Sequence, residues 1–140
     1  MTNREMAEGS LVQAGEILAE ARALHRRGVW NLVVRRSQEV VELALKAALR
    51  TAGVEVPKIH DVGIFLKDHQ ERFPEAFRAQ IDRLASISRR LRQEREVAFY
   101  GDEEAGAPPQ RLYTEADART ALEEAGKVLD LCRSLLQALP

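Results

Sequence analysis

The sequence predicts an all-α protein, an up-down bundle of four main helices with one additional short helix. Its 140 residues include 20 Ala, 17 Leu, 16 Glu and 17 Arg, which lose little conformational freedom in a helix. Apolar residues recur at helical spacing along nearly the whole chain, and no alternating strand pattern exceeds four residues. Because chains of ~100–200 residues usually build one core, we expect a single domain over residues 1–140.

The first two predicted helices are long and separated by a glycine. The first extends from about Glu5 to Arg27, and Gly28 should end it, since glycine accepts the left-handed conformation at a helix end. The second begins at Trp30 or Asn31 and ends before Gly53, and it is apolar on more than one side. A helix apolar over so wide an arc is central in a bundle or lies in an oligomer interface.

The third predicted helix is short and the fourth is long. Asp61 should cap a helix that ends near Gln70, and Pro74 suits the first turn of the next. Two polar residues, Ser88 and Arg95, interrupt the core-facing row of this fourth helix, which is unusual for a buried face. The row consists of Phe77, Ile81, Leu84, Ser88, Leu91, Arg95 and Ala98.

The last helix follows a loop, FYGDEEAGAPPQ, that contains two glycines and two prolines. Thr114 should cap it, with Asp117 completing a variant of the capping box. Long helices joined by short loops pack as antiparallel neighbours, which gives the bundle. An extended helical hairpin completed by a partner is the alternative.

Several classes of protein are excluded by composition. The single cysteine, Cys132, cannot form an intramolecular disulfide, and three scattered histidines provide no zinc-binding spacing, so we expect no metal and no resident cofactor. The amino end lacks a signal peptide and no apolar run approaches ~18–20 residues. We therefore expect a soluble, cytoplasmic protein with no membrane partner.

The charge is nearly balanced overall, at −1, but unevenly distributed: residues 22–50 carry +5 and residues 78–95 carry +4. If the second and fourth helices are neighbours, they form a basic groove able to hold a phosphate or an RNA backbone. The simpler interpretation is a solvated face whose arginines pair with nearby glutamates. The groove prediction rests chiefly on Arg35, Arg36, Lys46, Arg92 and Arg95.

Glu42 and Lys46 form an i,i+4 pair inside the mostly apolar second helix. If they are partly buried, Ser88 and Arg95 are natural polar neighbours, either in an internal network that stabilises the fold or on the floor of a cleft. The structural role is the simpler one.

The histidines and the cysteine are weak catalytic candidates. His25 should pack at the end of the first helix, His60 should help to start the third, and His69 should be exposed. Cys132 occupies a core position and should be an inert small apolar group. The chain contains no Ser-His-Asp arrangement and no glycine-rich phosphate loop.

Three short segments follow one another along the chain: SQEVVELALKAAL at 37–49, with Glu42, Lys46 and Ala47, then His60-Asp61, then REVAFYGD at 95–102, with Tyr100, Gly101 and Asp102. In this order they resemble the HEPN domain, a nucleotide-binding domain named for higher eukaryotes and prokaryotes. The resemblance extends from about residue 7 to 137. It implies a compact helical bundle that dimerises and that works beside a minimal nucleotidyltransferase, as in two-component or toxin-antitoxin pairs.

One subgroup of the family cleaves RNA without metal, using an Arg that is followed after four to six residues by a His, often with a Tyr two residues later. If that Tyr is aligned on Tyr100, Ala98 stands at the His position and Gln93 at the four-residue Arg position. Arg92 fits with a longer gap, but no histidine follows it. Because RNA cleavage at neutral pH needs a group such as imidazole to move a proton, the resemblance implies little or no ribonuclease activity here.

Three hypotheses for function result. The preferred one is a non-catalytic homodimer whose groove binds a nucleotide or RNA or presents a surface to a nucleotidyltransferase. The second is a ribonuclease toxin with a degenerate site made of Arg92, Arg95 and Tyr100. The third is a purely structural homo-oligomer formed through the second helix. The full candidate groove is Arg35, Arg36, Glu42, Lys46, Ser88, Arg92, Arg95, Tyr100 and Asp102.

Overall fold

The computed structural model describes residues 2–139, which form six α-helices and no strand, so the all-α prediction is confirmed. Met1 and Pro140, the two ends of the predicted domain, lie outside the described residues. Single turns of 3-10 helix precede α4 and α6. The helices are α1 (Asn3–Arg26), α2 (Trp30–Thr51), α3 (Gly63–Asp68), α4 (Glu75–Arg78), α5 (Ile81–Tyr100) and α6 (Glu115–Ala138).

The four long helices α1, α2, α5 and α6 run up and down. Asn31, at the start of α2, donates to the carbonyl of Ala98, near the end of α5, at 3.0 Å. Arg4, at the start of α1, donates to the carbonyl of Leu139, just after α6, at 2.7 Å. Both pairs, α2 with α5 and α1 with α6, are therefore antiparallel, as expected of the predicted up-down bundle.

The centre of the bundle is α2. It packs against α1, α5 and α6, and every one of its residues is buried or half-buried. Its wide apolar arc is therefore used inside the chain. The homo-oligomer predicted through this helix stays a prediction; within this chain the apolar arc of α2 packs against α1, α5 and α6.

The predicted fourth helix is two helices. α4 ends at Arg78 and α5 begins at Ile81; Ala79 and Gln80 between them form a turn although both keep right-handed helical backbone angles. Phe77 of α4 stacks on Phe73 with ring centroids 4.8 Å apart, and this buried pair turns the chain. Apolar spacing could not reveal the break, because Phe77 and Ile81 stay four residues apart across it.

The helix ends agree with the predicted chemistry in two places. The Thr114 hydroxyl accepts the amide of Asp117 at 3.2 Å, and the Asp117 carboxylate accepts the amide of Thr114 at 2.9 Å, which completes the capping box. Gly28, just beyond α1, has a φ of 76°, in the left-handed region that glycine adopts without a Cβ clash.

Candidate functional site

A group of polar side chains lies where α2, α5 and the segment before α3 meet, with Glu42 at its centre. Glu42 Oε1 accepts from Gln38 Nε2 at 3.0 Å and lies 2.8 Å from His60 Nδ1. Glu42 Oε2 accepts from Lys46 Nζ at 3.0 Å. One carboxylate thus gathers an amide, an imidazole and an ammonium group.

The fifth member comes from α5. Arg95 Nη1 donates to Gln38 Oε1 at 2.6 Å and lies 3.8 Å from Glu42 Oε1. We call Gln38, Glu42, Lys46, His60 and Arg95 the polar cluster.

The sequence places three of the five on one face of α2, because residues four apart in a helix lie above one another. Gln38 is buried, and the side chains of Glu42 and Lys46 keep only 16% and 18% of their surface exposed. Lys46 and Glu42 are therefore partly withdrawn from water, and a charged group in such surroundings needs a partner of opposite charge. His60, at 42%, is the member most open to solvent.

Burial by itself raises the pKa of the Glu42 carboxyl, but hydrogen bonds from Gln38, Lys46 and His60 outweigh it and hold the pKa below its ordinary value. Glu42 is therefore ionised at neutral pH. Its single negative charge faces the positive charges of Lys46 and Arg95, so the polar cluster is net cationic even when His60 is neutral.

The segment that carries His60 is fixed by its neighbour in sequence. Asp61 Oδ1 accepts from the Ser88 hydroxyl at 2.8 Å and from the amide of Gly63 at 3.2 Å. The prediction that Asp61 caps α3 is wrong, because the N-cap of α3 is Val62 and it makes no side-chain cap bond. Asp61 lies one residue earlier, where its carboxylate ties the first turn of α3 to α5. Gly63 is needed at this point, because a Cβ there would lie 2.8 Å from the Cα of Ala85.

Arg35 extends the site towards the end of α5. Its Nη1 donates to the carbonyl of Arg95 at 2.7 Å, its Nε lies 3.6 Å from Glu39, and its guanidinium lies 4.9 Å from the centre of the Phe99 ring. Arg35 and Arg95 therefore lie next to each other at the contact between α2 and α5. Ser88, expected as a neighbour of Glu42 and Lys46, bonds Asp61 instead.

Two other predicted groove arginines have other partners. Arg36 points towards α1, with Nη1 2.7 Å from Glu39 and Nε 3.7 Å from Glu20. Arg92 pairs with Glu96 of its own helix at 2.7 Å. The predicted continuous groove is therefore reduced to a shorter cationic strip that consists of Arg35, Arg95 and Lys46. Arg36 and Arg92 are paired with glutamates, as the simpler interpretation predicted.

Tyr100 and Asp102 lie in different surroundings from the polar cluster. Tyr100 is 61% exposed, and the Asp102 carboxylate accepts the amide of Ala105 at 3.1 Å inside its own loop. Within residues 2–139, Tyr100 shares no hydrogen bond or ion pair with Arg92 or Arg95. Both line an acidic depression together with Glu94, Glu96, Glu103, Glu104 and Tyr113.

The other two histidines and the cysteine lie in surroundings that indicate a structural role. His25 packs against Trp30 with ring centroids 5.3 Å apart, as expected for a helix-end imidazole. His69 is half-buried, so the prediction that it is exposed is wrong. Cys132 is buried, as predicted, and burial raises the pKa of its thiol. No three His, Cys, Asp or Glu side chains in the described part of the chain converge as metal ligands.

Sequence reasoning missed the roles of Gln38 and His60. Gln38 precedes Glu42 by one helical turn, and that spacing was a usable signal. The contact between His60 and Glu42 spans a loop whose path the residues alone do not determine.

Three long helices packed around α2, with a polar cluster where α2, α5 and the segment before α3 meet, define a class of all-α bundle. The HEPN domain profile matches residues 7–135, and the chain belongs to this family. The structure is similar to the crystal structure of an archaeal HEPN homologue, with a TM-score of 0.71 and 25% sequence identity over 93% of this chain and 97% of that one. No curated protein matches the sequence. None of the described helices is long and apolar enough to cross a bilayer.

Proposed function

We propose that this chain is a non-catalytic HEPN subunit whose polar cluster holds the phosphate of a nucleotide or an RNA. The observation that carries the proposal is the arrangement around Glu42, where one carboxylate orients Lys46 and His60 beside Arg95. The cluster is cationic, partly dry and pre-organised, and these properties favour binding of an anion.

The geometry leaves donors available for a ligand. An ammonium group has three N–H donors, and Lys46 uses one of them on Glu42. His60 donates Nδ1–H to the Glu42 carboxylate, so its Nε2 points away from that bond and donates to a phosphate only when the imidazole is protonated. The 42% exposure of His60 gives a phosphate a route to the cluster from solvent.

The residues at the positions of the ribonuclease motif support a non-catalytic role. Ala98, which replaces the histidine, is buried and cannot move a proton. Tyr100 lies beside the acidic depression, where neighbouring carboxylates repel a phosphodiester.

The proposal is tested by titrating the protein with ATP, GTP and short RNA at two salt concentrations. We expect salt-sensitive binding, weakened at least tenfold in Lys46→Met. Lys127→Met is the matched control, since Lys127 is exposed on α6, and it should bind like the wild type. Equal binding by both variants, or no binding of any ligand, would exclude the phosphate site.

A second candidate, a metal-independent ribonuclease, is favoured by one observation. His60 and Arg95 both approach Glu42 Oε1, so an imidazole does lie near the arginine of α5, although not at the motif position. Cleavage of RNA in the presence of EDTA, abolished in His60→Gln, together with growth arrest on expression, would establish this function in place of the non-catalytic one.

We also propose that the chain forms a homodimer and associates with a minimal nucleotidyltransferase. Support comes from the family, whose members commonly dimerise, and from exposed apolar side chains that a partner could cover, such as Ile64 at 59% and Val12 at 67%. Sedimentation of the protein alone, and mixed with the product of the adjacent gene, tests both points. A monomer that does not shift in the mixture would contradict them.

A further inference from the structure

We propose that Phe99 is a stacking platform for a nucleobase, so that the ligand of the polar cluster is recognised by its base as well as by its phosphate. The inference rests on the proposed phosphate site and makes it more specific. Its ligand class is a base joined to a phosphate, either as a free nucleotide or within single-stranded RNA.

The first argument is the position of Phe99. It lies one helical turn beyond Arg95 on α5, about 6 Å further along the axis at 1.5 Å per residue. The same side of α5 therefore presents, in order, Arg95 of the polar cluster and then an aromatic ring. Nearly half of the ring surface, 48%, is open to solvent.

The second argument is that the ring is held in place. The Arg35 guanidinium lies 4.9 Å from the ring centroid, and Arg35 itself is fixed by the Arg95 carbonyl and by Glu39. Tyr100 meets Phe99 nearly edge-on, with centroids 5.0 Å apart and planes at 80°. Because Arg35 is only 17% exposed, it supports the ring from the protein side. A half-exposed ring that is already packed against two neighbours loses less entropy when a base stacks on it than an unsupported ring does.

The third argument is electrostatic and concerns the orientation of the bound ligand. Arg95 of the polar cluster precedes Phe99 by one turn of α5, and Tyr100, which lines the acidic depression, directly follows it. A phosphate is attracted to the polar cluster and repelled by the acidic depression. The base therefore stacks on Phe99 while its phosphate points towards Lys46 and His60.

A ring at the end of a helix can also be an ordinary exposed apolar residue. Two features separate this case from that one: the arginine packed against the ring and the cationic strip that leads to it. Aromatic rings beside basic side chains are the usual means of binding single-stranded nucleic acid, since every base has a face that stacks.

The experiment compares ligands with and without a base. ATP, oligo(U), oligo(A) and inorganic tripolyphosphate are titrated against the wild type, Phe99→Ala and the control Met6→Ala, which removes another exposed apolar side chain, on α1. Stacking is worth about 1–3 kcal/mol per base, so Phe99→Ala should weaken the binding of base-containing ligands by roughly 5- to 150-fold. Binding of tripolyphosphate should not change, and Met6→Ala should bind every ligand like the wild type.

A second variant keeps the proposal testable if Phe99→Ala folds poorly. Phe99→Trp retains an aromatic surface, and its emission should be quenched by ATP or oligo(U) but not by tripolyphosphate. The wild type, whose only tryptophan is Trp30, gives the background signal. Tighter binding of the oligonucleotides than of ATP would identify RNA as the source of the base, and the reverse would identify a free nucleotide.

The outcomes separate the two proposals. If tripolyphosphate binds as tightly as ATP and Phe99→Ala changes neither affinity, the stacking proposal is wrong and the phosphate-site proposal is retained. If Lys46→Met abolishes binding and base preference survives in Phe99→Ala, the base lies elsewhere. If no ligand binds the wild type, both proposals fail.

Discussion

His60 Nδ1 lies 2.8 Å from Glu42 Oε1, a contact that joins the segment before α3 to the middle of α2. Since the other carboxylate oxygen of Glu42 holds Lys46, this one side chain links an imidazole and an ammonium group across two elements. The stability of the bundle and the shape of the candidate site therefore depend on the same residue.

Glu42→Gln should lower the free energy of unfolding by about 2 kcal/mol, because a neutral amide cannot compensate the partly buried charges of Lys46 and Arg95. Urea denaturation at neutral pH measures the change. Glu96→Gln is the control, since Glu96 pairs with Arg92 but is 54% exposed, and it should cost less than about 0.5 kcal/mol. Equal losses in the two variants would contradict a special role for Glu42.

The stability of the protein should fall in acid partly through Glu42. Its pKa is held below the ordinary value of 4.5 by hydrogen bonds that exceed the opposing effect of burial. The unfolded chain therefore takes up this proton at a higher pH than the folded protein does. The stability that ionised Glu42 contributes is complete above the pKa of the unfolded chain and is lost as the pH falls through the pKa of the folded protein. Denaturation series below pH 4.5 should show a shallower decline in Glu42→Gln than in the wild type.

The helices were largely predictable from sequence because their signals are local. The capping chemistry of Thr114 and Asp117 lies within one turn, and the wide apolar arc of α2 already indicated a central helix. The pairing of Glu42 with Lys46 was equally readable, as was the inward position of Ser88.

The rest of the site depended on directions that spacing does not reveal. Arg35 and Arg36 are neighbours in sequence, yet one reaches α5 and the other turns towards α1. The net charge summed over residues 22–50 counts both arginines as part of one basic patch. His60 was read only as part of a helix start, because its partner on α2 is brought near by the folding of a loop.

Cys132 should be unreactive in the folded protein. It is buried in the core, and burial raises the pKa of its thiol, so both access and thiolate formation are suppressed. Modification by a thiol reagent should occur only at the rate at which the protein opens. Ser134→Cys, exposed two residues later on α6, should add one thiol that reacts at once. Immediate reaction of Cys132 in the wild type would contradict its placement.

Gly63→Ala should destabilise the protein by about 2 kcal/mol, although alanine is normally the better helix former. The added Cβ would lie 2.8 Å from the Cα and Cβ of Ala85, so α3 must move away from α5. Gly126→Ala is the matched control on α6, where a Cβ meets nothing within 4 Å, and it should stabilise the protein by up to about 1 kcal/mol. Because Asp61 and His60 directly precede α3, Gly63→Ala should also weaken phosphate binding while Gly126→Ala leaves it unchanged. Thermal denaturation and ATP titration of the two variants measure these effects, and a Gly63→Ala protein as stable as the wild type would show that α3 does not need its close approach to α5.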